Sequence, residues 1–111
     1  MSWKILSQLD QVAHIIQQSQ ERPQLFFKHS TRCSISSMAL RRFEQSGILD
    51  STEIDCWYLD LLAYRAISDE IAHQCHVQHQ SPQAILVQNG QILYAESHGM
   101  IDAQQILQLI A

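Results

Sequence analysis

Apolar positions change their period several times along this chain, and each change marks an element. From residue 9 the period is helical: Leu9, Val12, Ala13 and Ile16 fall at i, i+3, i+4 and i+7 on one stripe. Ser7 can cap that stripe and Asp10 can reach back across the positive helix end, while Pro23 marks the exit, which predicts a helix over about 8–20. Leu25-Phe26-Phe27 is apolar at successive positions, as in a short strand buried on both faces near the centre of a parallel sheet. Ile35, Met38, Ala39 and Phe43 resume the helical period as an inward stripe, with Arg41, Arg42 and Glu44 outward and Gly47 as a left-handed stop. Cys56 to Leu62 is aromatic and aliphatic enough for a second strand.

Ser68-Asp69-Glu70, a capping serine followed by two acids, opens a third helix with Ile71, Ala72 and Cys75 inside. Ser81-Pro82 then interrupts the chain before Ala84 to Val87, and Asn89-Gly90 joins that run to Ile92 to Ala95 as a hairpin. Asp102 caps a last helix, with Gln105 completing a capping box, Ile101 and Ile106 as a staple, and Ile106, Leu107 and Ile110 docking it. Trp3 to Leu6 fits either a short extra strand or a packed arm. The order is α-β-α-β-α-β-β-α. Its strand–helix–strand unit requires parallel strands and a right-handed crossover. The expected fold is α/β: a central mixed four-stranded sheet flanked by helices, the layout of a thioredoxin-like domain, with residues 1–111 as one domain.

Composition narrows the function. At 46% apolar and 16% charged the chain is globular. Apolar runs of four or five residues are far short of the ~20 that a membrane helix needs, and the N-terminus lacks a signal-peptide pattern, so the expected location is the cytoplasm. Formal net charge is −4 and the seven Lys and Arg are scattered, which argues against nucleic acid as a partner. Three cysteines, Cys33, Cys56 and Cys75, are odd in number and widely spaced; they are expected as free thiols.

Of these, Cys33 stands where chemistry is expected, between the end of the first long strand and the start of the next helix. The helix end points free N–H groups and a positive dipole at the sulfur, and Arg32 adds a permanent cation; both favour thiolate. A small buried hydrophobe is the ordinary fate of a free cysteine, but in this layout the junction is where thioredoxin-like folds carry their nucleophile. Ser36, not a second cysteine, stands three residues on, so the short-range disulfide of a dithiol enzyme cannot close. A single thiol can still attack a mixed disulfide, provided an outside thiol then releases the adduct. Pro82, immediately before a strand, occupies the place where thioredoxin-like proteins hold a cis peptide facing the cysteine. Cys56 and Cys75 read as core residues.

Lys28-His29-Ser30-Thr31 followed by a cysteine and Ile35-Ser36, Arg65 with Ser68 and Ile71-Ala72, His79-Gln80-Ser81-Pro82-Gln83, and Ser97-His98 together resemble the YtxJ-like monothiol bacilliredoxins over nearly the whole chain. The resemblance implies a thioredoxin-like thiol–disulfide oxidoreductase that removes low-molecular-weight thiols, such as bacillithiol, from protein mixed disulfides. Cys33 would attack, Ser81 and Pro82 would form the cis-proline element, and Arg32, Ser34 and Ser36 would join them in holding substrate. His29, Thr31 and His98 are candidate lining residues. The small thiol would be a co-substrate; no bound cofactor and no metal are implied. The family motif commonly reads Thr-Cys-Pro-Ile-Ser, whereas this chain has Arg32-Cys33-Ser34-Ile35-Ser36. Proline there would preorganise the first helical residue.

His73, His76 and His79 invite a zinc reading, but Cys75 falls on the opposite, buried side and the helix is expected to end before His79, so a partly exposed polar helix end is the favoured reading. A thioredoxin-like adaptor without turnover, and an iron–sulfur scaffold sharing a cluster through one cysteine, are the competing functional readings.

Overall fold

A computed structural model describes residues 3–111. Its strands are β1 (Lys4–Ile5), β2 (Gln24–His29), β3 (Asp55–Asp60), β4 (Gln83–Gln88) and β5 (Gln91–Ser97), and its helices are α1 (Gln11–Gln18), α2 (Ser34–Gln45), α3 (Arg65–Cys75) and α4 (Ala103–Ile110). The sheet order is β1-β3-β2-β4-β5, so the expected four strands become five. The addition is β1, which pairs in parallel with the outer edge of β3 through Lys4–Trp57 and Ile5–Tyr58. Two residues exposed on an edge leave no periodicity for a sequence to show.

Strand β2 lies at the centre, parallel to β3 and antiparallel to β4, and all six of its residues are buried. Its alternation sorts the core into two layers. Leu25 and Phe27 pack with Ala39, Phe43 and Ile106 beneath α2 and α4. Phe26 packs on the other face with Val12, Ile15, Ile67 and Ile71 of α1 and α3. Full burial of each phenylalanine contributes roughly 2 kcal/mol. Trp3 closes the first layer: its ring stacks on Phe43 at 5.6 Å and tilts against Phe27 and Tyr58, while its Nε1 donates to Glu44 at 2.8 Å.

Turns and caps follow local chemistry where one residue decides them. Asn89 and Gly90 both have positive φ, 54° and 72°, as the two-residue hairpin between β4 and β5 requires. Gly47 (φ 89°) follows α2 in the left-handed region. Asp102 accepts from the N–H groups of Gln104 and Gln105 at the start of α4. Other starts differ from expectation. Helix α1 is shorter than 8–20, and Ser7 does not cap it; Gln11 Oε1 instead accepts from the N–H groups of Ser7 and Gln8, both at 2.8 Å. Helix α3 begins a turn early, at Arg65, so Ser68 is a buried helical residue rather than a cap. Ile35 and Met38 point outward, 57% and 65% exposed; the buried stripe of α2 is Ser36, Ala39 and Phe43. Among the described residues no helix is long and apolar enough to cross a membrane.

Candidate thiol site

Three connections meet at the sheet end where β2 finishes and β4 begins. The first is Ser30 to Cys33, a turn closed by the Cys33 N–H donating to the Ser30 carbonyl at 3.2 Å. The second is the segment from His76 to Pro82, whose Ser81–Pro82 peptide is cis. The register pair Lys28–Gln83 fixes it one residue from the sheet. The third is Ser97 to Met100, tied to the second because the His98 N–H donates to the Pro82 carbonyl at 3.1 Å.

Cys33 is half-buried and is itself the N-cap residue of α2, with extended dihedrals (φ −110°, ψ 121°). No side chain caps this helix. Its positive end is therefore left to the sulfur and whatever binds beside it. Thr31, Arg32 and Ser34 are exposed around it. Ser36 lies elsewhere. It is fully buried, and its hydroxyl is engaged with His29 Nδ1 at 2.7 Å and the Ser30 N–H at 3.0 Å. A buried hydroxyl with two partners is a strut between β2 and α2, not a substrate contact.

His29 is also buried, against the Tyr58 ring at 5.8 Å, rather than lining an open site. Burial pushes its pKa below the usual histidine value, although Asp60, Glu44 and the Ser36 contact oppose the shift. It is neutral at pH 7. Because the Ser30 N–H donates to Ser36 Oγ, the serine proton is free to go to His29 Nδ1, leaving the imidazole proton on Nε2. His98 is exposed and Pro82 is buried; Ser81 Oγ is buried with no hydrogen-bond partner.

Beside Cys33 the outward residues of α2 form an apolar groove of about 160 Å³ with the third connection, lined by Ile35, Met38, Ala39, Arg42, His98 and Gly99. The helical period could not show this, because an apolar residue facing outward satisfies the same spacing as one facing the core.

Neither remaining thiol joins the site. Cys56 lies in the core layer under α2 and α4, and Cys75 in the layer under α1 and α3. Burial pushes Cys56 up to about 12, with Asp55 adding to it, and Cys75 up to about 11. Both are inert thiols at neutral pH. The histidine run does not assemble: His76 closes α3 in a left-handed conformation (φ 55°), and His79 turns toward Lys28 and Ser68.

The interactions of Lys28 are absent from the hydrophobic pattern. The side chain is fully buried behind β2, where Nζ donates to the Ser68 carbonyl at 3.1 Å and lies 3.2 Å from His79 Nδ1. Ser68 Oγ is also 3.2 Å from that nitrogen. Burial lowers the Lys28 pKa to about 8, with Cys75 and Asp69 acting in the opposite sense.

Solved structures show what this arrangement resembles. A thioredoxin-fold protein assigned to the oxidoreductases is 33% identical, with a TM-score of 0.79 over 94% of this chain and 89% of that one. The thioredoxins of Trypanosoma brucei brucei (19% identity, TM-score 0.73, 98% and 91% covered) and Malassezia sympodialis (17%, 0.71, 98% and 88%) share the fold. The protein is thus a thiol–disulfide oxidoreductase of the thioredoxin class. The monothiol bacilliredoxin BrxC family model matches residues 4–106, and the chain belongs to that family.

Proposed function

We propose that this protein strips low-molecular-weight thiols from protein mixed disulfides by attack of Cys33, with bacillithiol or a similar small thiol as the group removed. The observation that carries the reading is the placement of the three thiols: one half-buried at an uncapped helix end, two sealed in opposite core layers. In the first step the Cys33 thiolate attacks the small thiol's sulfur. A new disulfide forms between Cys33 and the small thiol, and the protein cysteine leaves as thiolate. In the second, another small thiol attacks that sulfur, regenerating Cys33 and releasing the symmetrical disulfide. Both are exchanges without net oxidation. Cys56 and Cys75 lack access to the adduct, so an outside thiol completes the cycle.

Arg32 supports this reading as an exposed cation beside the sulfur, suited to a carboxylate-bearing small thiol. The groove along Ile35 and Met38 suits apolar residues flanking the modified cysteine of a protein substrate.

The test is transfer from a bacillithiolated protein, with glutathionylated and cysteinylated forms beside it, followed by mass spectrometry. Cys33→Ser should abolish transfer, while Cys56→Ser and Cys75→Ser retain most of it. Comparable losses in all three variants would refute a one-cysteine mechanism.

A further inference from the structure

We propose that Lys28 is a positioning residue for substrate capture: through His79 and the Ser68 carbonyl, its buried Nζ holds the segment that carries Pro82 to the thiol site. The inference rests on the proposed thiol transfer and adds to it a part played on the sheet face away from Cys33.

Successive residues at the end of β2 serve opposite faces. His29 reaches Ser36 and fixes the Ser30–Cys33 turn. Lys28 reaches Ser68 on α3 and His79 in the segment after it. The two loops of the site are therefore pinned by neighbouring side chains of one strand, independently of each other. Gln83, which pairs with Lys28 in the register, adds a second tie: its Nε2 donates to the Gln78 carbonyl at 3.0 Å, and its Oε1 accepts from the Gln80 N–H at 3.4 Å.

An apolar side chain would serve the core better at this place. Burying an ammonium carries a large desolvation penalty, recovered in part only by good polar partners. Lys28 makes no salt bridge among the described residues; its partners are one carbonyl and one imidazole. His79 suits the role as a neutral acceptor. Its burial and the Lys28 and Arg65 charges lower its pKa, with Asp69 opposing, so Nδ1 keeps the lone pair that Nζ and Ser68 Oγ address. The ring is otherwise exposed, so it acts through this contact and not through packing.

The experiment compares wild type with His79→Ala, His79→Asn, Lys28→Met and the His79→Ala/Lys28→Met double variant. Two readouts are used: amide hydrogen exchange of residues 77–81, and steady-state transfer from a mixed-disulfide protein. Loss of the contact should speed exchange in that segment about tenfold and raise KM by a similar factor, with kcat at saturation nearly unchanged. The double variant should be no worse than either single one, because both remove the same contact. His79→Asn, whose Oδ1 can replace Nδ1 as acceptor, should restore both readouts. Alkylation of Cys33 by iodoacetamide should keep its wild-type rate throughout, since the His29–Ser36 tie is untouched. Unchanged exchange in His79→Ala overturns the proposal, as does a loss confined to kcat and alkylation. If wild type transfers no small thiol, the function reading fails by itself, and exchange still decides whether the tie exists. If Lys28→Met does not fold, His79→Ala and its Asn counterpart carry the test.

Discussion

Ser36 shows how much one buried hydroxyl can organise. It is three residues from Cys33, where a dithiol enzyme would carry its second sulfur, yet it faces inward and joins the imidazole of His29 to the backbone of Ser30. Removing the hydroxyl leaves a buried ring nitrogen and a backbone N–H without a partner. An unmade buried hydrogen bond costs about 1–3 kcal/mol. Ser36→Ala should lose stability of that order in urea denaturation, and Cys33 should alkylate with altered kinetics because its turn has lost a tie. A variant as stable as wild type with unchanged alkylation would show that the strut does not bear on the turn. The residue type alone gave no hint of this, since a serine one turn into a helix reads equally well as surface or as substrate contact. Lys28 hid for a related reason. A lysine at the end of an apolar run looks like the point where the strand meets solvent, and only the fold supplies the carbonyl and imidazole that let it stay inside.

At the scale of elements, legibility depended on whether one residue or a whole environment decided the outcome. Asn89-Gly90, Gly47 and Asp102 each act through local dihedral or hydrogen-bond preference, and each does in the structure what its type prescribes. Leu25-Phe26-Phe27 marked the central strand because burial on both faces removes alternation. The starts of α1 and α3 differ from the sequence pattern because several polar residues can serve there: Gln11 reaches back to the N–H groups of Ser7 and Gln8, and α3 takes an earlier turn from Arg65. Helix α2 carries the functional lesson: its apolar residues point two ways, Ala39 and Phe43 into the core, Ile35 and Met38 to the groove beside Cys33. Replacing both outward residues, Ile35→Ser with Met38→Ser, should change the unfolding free energy by no more than about 0.5 kcal/mol, as for surface positions generally. Transfer from a protein substrate should weaken through KM, whereas transfer from a small-molecule disulfide should be nearly unaffected. Equal loss on both substrates would remove the groove from protein recognition.

For the molecule as a whole, the buried titratable groups set a pH profile of stability whose sign changes with the group in control. Burial lowers His29 and His79, so below pH ~6.5 the unfolded chain takes up protons that the fold resists, and stability falls as pH falls. Between pH 8 and 9 Lys28 acts in the stabilising direction. Its folded pKa is about 8 against 10.5 for an unburied lysine, so the fold releases a proton that the unfolded chain keeps, and stability rises. One proton in this window is worth about 1 kcal/mol. Around the ordinary thiol pKa of 9.0 the buried cysteines act the other way. Burial holds Cys56 and Cys75 protonated to about 12 and about 11, so the unfolded chain loses protons that the fold retains, and Tyr58 and Tyr94 add to the fall at higher pH. Urea unfolding under reducing conditions should therefore show wild type gaining about 1 kcal/mol relative to Lys28→Met from pH 8 to 9. The two thiols offset most of that gain in the wild-type profile itself, which declines above it. Lys28→Met removes the group responsible for the gain while leaving the thiols, so its profile should fall over the same interval. A wild-type profile parallel to that of Lys28→Met would mean that the central-strand lysine does not release its proton before the buried cysteines come into play.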